Sequence, residues 1–482
     1  MVLATGATPP HGVVMQMDTK TVDVAVVGAG TAGLAAYREA RKHTPRVLLI
    51  EAGHHGTTCA RVGCMPSKLL IAAGEAAHHA RHAGPFGVHA TVRVDGRAVM
   101  ERVRRERDRF VGFVMAGVEK IPAAHRLQGR ARFIDSRSLR VDEHAEVAFR
   151  TAVIATGSSP AVPPILRGAE DRLVINDDVF DWQDLPRSVA VFGPGVIGLE
   201  LGQALGRLGV RVRMFGVGGA VGPFSDPALR QYARDKVGEE FPLDPDAKVE
   251  SVRRTEAGVA IRFVERGETR EETFDCLLAA TGRTPNVRGL GLESTGAPLD
   301  ARGQPRFDRR TMQVGDSPLF IAGDANNDVP LLHEAADEGR IAGENAARWP
   351  AVQPGERRTP LAIVFTEPQM AVVGRRYAEL PGDRTVTGVV SFEDQGRSRV
   401  MLRNLGLAHV YVDVPTGLVV GAELVGPDAE HLAHLLAWGI QSGMTVDRML
   451  EMPFYHPVVE EGLRTALRDA QSKRALAARK VA

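Results

Sequence analysis

The run Val22-Asp23-Val24-Ala25-Val26-Val27-Gly28-Ala29-Gly30-Thr31-Ala32-Gly33 decides how the chain begins to fold. Val22 to Val27 is apolar apart from Asp23, as in a strand covered on both faces of a parallel sheet. It breaks into a G-x-G-x-x-G turn. A helical pattern then runs from Leu34 to about Lys42 and stops before Pro45, and a second apolar run, Val47 to Ile50, ends at Glu51. This is one β-α-β unit. In such a unit Gly28 permits the tight turn, Gly30 lets a pyrophosphate approach the backbone, and Gly33 lets helix and strand close together. The helix N-terminus offers free N–H groups and the positive end of its dipole. Glu51 stands eighteen residues after Gly33, near the spacing at which an acid grips ribose hydroxyls. A bare turn is the alternative. Strand, helix and acid together favour a dinucleotide.

The same grammar returns in mid-chain. Ser188 to Phe192 reads as a strand, Gly193-Pro194-Gly195-Val196-Ile197-Gly198 opens a helix to about Leu208, and Val210 to Phe215 reads as the next strand. Gly193, Gly195 and Gly198 therefore predict a second dinucleotide site, with a structural turn as the alternative. The next residues are Gly216-Val217-Gly218-Gly219. They hold no acid for a ribose and no Arg for a 2′-phosphate, so NAD is expected and NADP stays open. Ala155-Thr156-Gly157 and Ala280-Thr281-Gly282 end strands on either side of this unit, so the middle of the chain reads as an insertion into the first domain. Arg348 to Thr359 reads as a linker. Strand-like runs (Ala362–Phe365, Ala408–Val412, Leu418–Leu424) and a helical run, Ala429–Ser442, then predict an α+β domain.

At 482 residues the chain is too long for one core. A net charge of +1 gives no reason to expect nucleic acid as a partner. Three cysteines cannot make a secreted disulfide framework. No apolar run has the length of a membrane span, and the start lacks a signal-peptide pattern. A cytoplasmic location is expected. Residues 1–20 read as a disordered tail, with Met15 or Met17 as possible natural starts, and the basic stretch Lys473 to Lys480 reads as a frayed helix end.

Two of the three cysteines lie close together in Gly56-Thr57-Thr58-Cys59-Ala60-Arg61-Val62-Gly63-Cys64-Met65-Pro66-Ser67-Lys68. A helical pattern follows Cys64, and a thiol near a helix N-terminus has a lowered pKa. Four intervening residues still let the sulfurs meet. Metal binding with His54 or His55 and ordinary buried thiols are the other readings; redox chemistry leads. His78, His79 and His82 sit on the same helical pattern and read as solvated.

The segment Gly56–Lys68 closely resembles the redox-active segment of the class I pyridine nucleotide-disulfide oxidoreductases, which include dihydrolipoamide dehydrogenase, glutathione reductase and mercuric reductase. The resemblance runs from about Thr21 to Asp469. Thr156-Gly157 and Thr281-Gly282-Arg283-Thr284-Pro285-Asn286 resemble the family's two ATG-type segments. Ile321-Ala322-Gly323-Asp324-Ala325 resembles its second FAD motif, and Val364–Pro368 and Gly426-Pro427 resemble landmarks of its dimerisation domain. The resemblance implies an α/β fold: FAD-binding residues 21–157 and 281–348, an NAD(P)-binding domain over 158–280 and a dimerisation domain over 349–472; residues 473–482, beyond it, read as a C-terminal tail. It implies a homodimer. It assigns Gly28, Gly30, Gly33, Glu51, Lys68, Thr156, Gly157, Arg283, Gly323 and Asp324 to FAD, and Gly193, Gly195, Gly198, Glu200 and Gly282 to NAD. Lys68 and Glu200 are expected to pair beside the flavin.

His456-Pro457-Val458-Val459-Glu460-Glu461 resembles the family's His-Pro…Glu element. There His456 is the acid/base and Glu461 orients it, acting on the disulfide of the other subunit. Two positions depart from the pattern: Phe454 where dihydrolipoamide-type members carry His, and Thr57 in place of a usual Gly. No cysteine follows Cys276, which argues against mercuric reductase and large thioredoxin reductases. Ser67 and the missing Arg pair argue against glutathione-type enzymes. The best match is dihydrolipoamide dehydrogenase, oxidising a small-molecule or lipoyl-domain dithiol through Cys59, Cys64 and FAD to NAD, in a 2-oxo acid dehydrogenase complex or outside one. Cys59 is expected to be the more accessible thiol and to exchange with substrate, with Cys64 facing the flavin. A reductase of another low-molecular-weight disulfide and a flavin-bound redox sensor are the alternatives.

Overall fold

The computed structural model describes residues 17–481. They form two compact units, each described by itself. One consists of the described part of Met1–Thr57 with Met115–Ser158 and Pro285–Glu356; the other consists of Thr58–Val114, Ser159–Thr284 and the described part of Arg357–Ala482.

In the first unit the opening run forms the strand Asp18–Val27, with its last four residues buried. It pairs in parallel with Val47–Glu51 on one side and with Ala145–Ile154 on the other. Arg126–Gln128 extends the sheet beyond Val47–Glu51. The strand Ala145–Ile154 changes partner along its length: its first half pairs antiparallel with Ser138–Val141, and its last residues pair in parallel with Leu319–Ile321. Side chains such as Val27, Ile50, Ile154 and Ile321 share one apolar core. The helices Thr31–Ala40 and Leu332–Arg348 cross closely because glycines face alanines. A Cβ on Gly339 would lie 2.2 Å from the Ala32 carbonyl oxygen, and one on Gly343 would lie 2.3 Å from that of Ala36.

The expected tail ends earlier than residue 20. Asp18–Lys20 continue the strand ladder beside Ala145–Val147, and residues 1–16 lie outside the described residues.

In the second unit the parallel sheet runs in the order Leu243–Asp244, Arg211–Phe215, Ser188–Phe192, Cys276–Ala279, Leu173–Ile175. Reversal of strand order beside Ser188–Phe192 creates the crevice in which open α/β sheets bind ligands. A three-stranded antiparallel sheet, Lys248–Thr255, Gly258–Glu265 and Glu268–Phe274, is inserted before Cys276–Ala279. The C-terminal sheet is antiparallel, in the order Leu361–Val364, Gln369–Gly374, Val419–Gly426, Leu407–Asp413, Thr385–Ser391. Helices Ala429–Gln441 and Glu460–Val481 cover it.

Thr58–Val114 packs in the second unit. Gly74 permits this: a Cβ there would already lie 3.0 Å from the Ala204 carbonyl oxygen, so the helix Cys64–Arg81 closes on the helix Val196–Arg207. The basic stretch Lys473–Lys480 is not frayed but lies within the helix Glu460–Val481. Lys473 bonds Asp469 at 2.6 Å and Arg474 reaches the Val414 carbonyl at 2.9 Å, which fastens this end to the sheet.

Candidate active site

The first glycine motif has the shape that a dinucleotide requires. Gly28 takes φ +108°, a conformation open to glycine, and a Cβ there would strike the Ala155 carbonyl oxygen. A Cβ on Gly33 would lie 1.8 Å from the Gly28 carbonyl oxygen, whereas Gly30 has no atom within 4 Å of its own Cβ position. So Gly28 and Gly33 are spent on packing, and Gly30 leaves the backbone open at the N-terminus of the helix Thr31–Ala40, which has no side-chain cap. Glu51 spans the turn: one carboxylate oxygen accepts from Ala29 N at 2.6 Å and the other from Gly53 N at 2.8 Å. Thr156 Oγ1 donates to the Asn286 carbonyl at 2.8 Å and Asn286 N donates to the Gly157 carbonyl at 2.9 Å, joining the ATG-type segment to its continuation. Asp324 follows Gly323 on a short 3-10 turn and accepts from Ser158 Oγ at 2.6 Å. An uncapped helix end, an open Gly30 and an acid at the strand end fit FAD.

The second motif repeats these features. Gly193 has φ +104°, a Cβ on Gly198 would lie 1.9 Å from the Gly193 carbonyl oxygen, and Gly195 is open. The helix Val196–Arg207 likewise has no side-chain cap. Thr281 and Gly282 bond the Ala161 backbone, at 2.6 and 2.9 Å. Arg283 lies near enough to Asp177 to counter the rise that burial gives that carboxyl. This cradle fits a nicotinamide dinucleotide.

Cys59 lies in the short helix Thr58–Val62, and Cys64 opens the helix Cys64–Arg81. The two thiols are hydrogen-bonded to each other, and this bond is the largest cause of opposite shifts: Cys59 is raised, and Cys64 is lowered to about 7. Burial opposes the fall at Cys64; the Lys68 charge and the backbone N–H at the helix start support it. Cys64 is exposed and Cys59 partly so. Cys276 is buried, which pushes its thiol up to about 12 and removes it from thiolate chemistry.

Lys68 and Glu200 meet as expected. Lys68 Nζ donates to both Glu200 oxygens, at 2.7 and 2.9 Å, and Glu200 is only 4 % exposed. Glu200 also accepts from Phe365 N at 3.0 Å, and the ammonium sits 4.4 Å from the centroid of the Phe365 ring. The lysine is thereby fixed one helical turn after Cys64.

His456 Nδ1 is 3.0 Å from Glu461 Oε2. Desolvation raises the Glu461 carboxyl, but the hydrogen bonds from His456 and the Val458 backbone outweigh it, and the result lies below the ordinary value. Sequence reasoning missed Arg464, whose Nη2 donates to Glu461 Oε1 at 2.7 Å and whose guanidinium lies 5.6 Å from the Phe454 ring centroid. The i,i+3 spacing of Glu461 and Arg464 on a helix was the available signal. Of the helical histidines, His79 and His82 are exposed as expected, His79 pairing with Glu367 at 3.2 Å, whereas burial, reinforced by Arg207, pushes His78 down to about 4.

Among the described residues, no group of three or more His, Cys, Asp or Glu could hold a metal ion, and no helix is long and apolar enough to cross a membrane.

Known proteins resemble this chain over most of its length. The pyridine nucleotide-disulphide oxidoreductase family profile matches residues 22–339, and that family's dimerisation-domain profile matches residues 361–467. A mercuric reductase of Shigella flexneri is 32 % identical over 460 residues, 92 % of this chain and 80 % of that protein. A dihydrolipoyl dehydrogenase of Bacillus subtilis is 30 % identical over 447 residues, 91 % of this chain and 94 % of that one. The crystal structure of LpdA from Mycobacterium tuberculosis is similar with a TM-score of 0.79 at 26 % identity, covering 93 % of this chain and 99 % of LpdA.

Proposed function

The chain belongs to the pyridine nucleotide-disulphide oxidoreductase family, with FAD and a nicotinamide dinucleotide as cofactors, and we propose that it oxidises dihydrolipoamide or a lipoyl-domain dithiol with NAD as acceptor. The observation that carries this reading is the hydrogen-bonded pair Cys59 and Cys64, with the lower pKa on the thiol nearer Lys68.

FAD would be held by Gly28, Gly30, Gly33, Glu51, Thr156, Gly157, Gly323 and Asp324, and when bound it supplies the two-electron link between dithiol and nicotinamide. Gly193, Gly195, Gly198 and Gly282 would hold the nicotinamide dinucleotide, with Glu200 serving through Lys68. The residues of this chain handle sulfur and protons. A substrate thiolate attacks Cys59 Sγ of the oxidised pair; the Cys59–Cys64 bond breaks and Cys64 leaves as thiolate. The Lys68 charge and the backbone N–H at the helix start stabilise that thiolate as it leaves. His456, oriented by Glu461 of its own chain, takes the proton from the second substrate thiol across the interface of a homodimer. That thiolate attacks the substrate sulfur of the mixed disulfide, the cyclic disulfide departs, and Cys59, whose pKa is raised, receives the proton. A cytoplasmic location and service to a 2-oxo acid dehydrogenase complex accord with this chemistry.

Steady-state reduction of NAD and, separately, NADP by dihydrolipoamide tests the proposal. Cys64→Ser should abolish turnover while FAD stays bound, and full activity in that variant would refute the scheme. A second reading, NADH-dependent reduction of another low-molecular-weight disulfide, is favoured by Phe454 and Arg464, which give the surroundings of His456 an apolar face and a cation. Faster turnover of such a disulfide than of lipoamide would select it.

A further inference from the structure

The two glycine-motif sheets correspond residue by residue through their hydrogen bonds. In the first, Gly28 N donates to the Ile50 carbonyl at 2.7 Å, Ala155 N to Val27 at 2.8 Å and Gly129 N to Glu51 at 2.8 Å. In the second, Gly193 N donates to Phe215 at 2.8 Å, Ala280 N to Phe192 at 2.8 Å and Ala247 N to Gly216 at 3.0 Å. Gly216 is therefore the counterpart of Glu51, and each stands eighteen residues after the last glycine of its motif. Two residues further on, Gly53 corresponds to Gly218. In the first sheet Gly53 N donates to the Glu51 carboxylate at 2.8 Å. In the second, Gly218 N donates to the Asp246 carboxylate, also at 2.8 Å. The same backbone N–H meets a carboxylate in both, but the second carboxylate arrives from a different strand.

The reason is steric. A Cβ on Gly216 would lie 2.5 Å from the Pro245 carbonyl oxygen and 2.8 Å from the Pro194 ring, so no acid can stand there. Leu243–Asp244 pairs in parallel with Arg211–Phe215 and delivers Asp246 to the same strand end. Asp246 is exposed, and its own N–H is tied to Asp244 Oδ1 at 3.1 Å.

We infer that Asp246 recognises the adenosine ribose of the nicotinamide nucleotide and makes this site prefer NAD to NADP. The inference rests on the reading of the second motif as the nicotinamide nucleotide site. Its carboxylate accepts hydrogen bonds from the ribose hydroxyls, as the strand-end acid of such motifs does. A 2′-phosphate would bring up to two negative charges against it. The neighbouring donors Gly216 N and Gly219 N are already given to the Asp244 and Pro245 carbonyls, at 2.7 and 3.0 Å.

Calorimetry on the FAD-loaded protein tests this with two ligands that cannot react, ADP-ribose and its 2′-phosphate. The wild type should bind ADP-ribose about 10- to 100-fold tighter than the phosphorylated form, the range for losing hydrogen bonds to a charged group. Asp246→Asn keeps an oxygen for Gly218 N and should retain the fold, checked by thermal unfolding. It should weaken ADP-ribose about tenfold or more and leave the 2′-phosphate unchanged or tighter. Asp246→Ala should do the same. An unchanged preference, or equal weakening of both ligands, would overturn the assignment while leaving the nucleotide site in place. If the wild type binds neither ligand, the nucleotide reading of the second motif fails, and Asp246 falls with it.

Discussion

Replacing Lys68 by Gln separates the electrostatic account of Cys64 from a merely structural one. The Cys64 thiol ordinarily titrates at 9.0 and stands at about 7 in the folded chain. At pH 7 it is thus about half thiolate, against about 1 % for an unperturbed thiol. The hydrogen bond from Cys59 is the largest favourable cause and the Lys68 charge follows. A nearby opposite charge shifts a pKa by about one to three units. The low end applies, because both Glu200 oxygens already pair with the ammonium, at 2.7 and 2.9 Å. Lys68→Gln should therefore raise Cys64 by about one unit and cut its thiolate at pH 7 about fivefold. The difference should vanish once both proteins are fully deprotonated, above about pH 9.5. Glu200 raises Cys64, so Glu200→Gln should move the midpoint the opposite way. Pulsed alkylation of the two-electron-reduced holoenzyme with iodoacetamide, quantified for each cysteine by mass spectrometry across pH, reads the midpoint directly. Lys68→Gln leaves a carboxylate that is 4 % exposed with only the Phe365 N–H as partner, which costs stability. The double variant removes that charge and guards against misfolding. An unchanged midpoint in Lys68→Gln, or an upward shift in Glu200→Gln, would refute the reasoning.

The two open glycines and the two packed ones should behave differently. Gly30→Ala has free space for its methyl group and should fold but load FAD poorly, whereas Gly33→Ala drives a Cβ to 1.8 Å from a backbone oxygen and should lose folded yield; equal FAD content and melting temperature in both would contradict the cradle. At His456, removing an acid–base group should lower kcat about 10²–10⁴-fold. Glu461→Gln, which only loosens the imidazole, should cost less, and Arg464→Ala less again; stopped-flow reduction by dihydrolipoamide measures all three, and a full effect from Arg464→Ala would recast it as a primary participant.

What could be read from the sequence was what the chain encodes locally. A buried strand, a glycine turn, a helix and an acid eighteen residues on are fixed by neighbours along the chain, and Glu51 stands where its spacing placed it. The pairing of Lys68 with Glu200 was legible only through resemblance, since no local pattern joins two helices so far apart in sequence. Thr57 shows an intermediate case. Its departure from a usual Gly is visible in the letters, but the reason for the Gly is conformational: the residue sits at φ +58°, where a β-branched side chain is strained by about 1–2 kcal/mol. Asp246 had no sequence signal. Its position depends on which strand lies beside Arg211–Phe215 and on Pro194 and Pro245 closing the place where an acid would ordinarily stand. Chemistry carried by one segment is thus readable from that segment. A function divided between two strands, with one made glycine so that the other can supply the acid, becomes visible only once the sheet has brought them together.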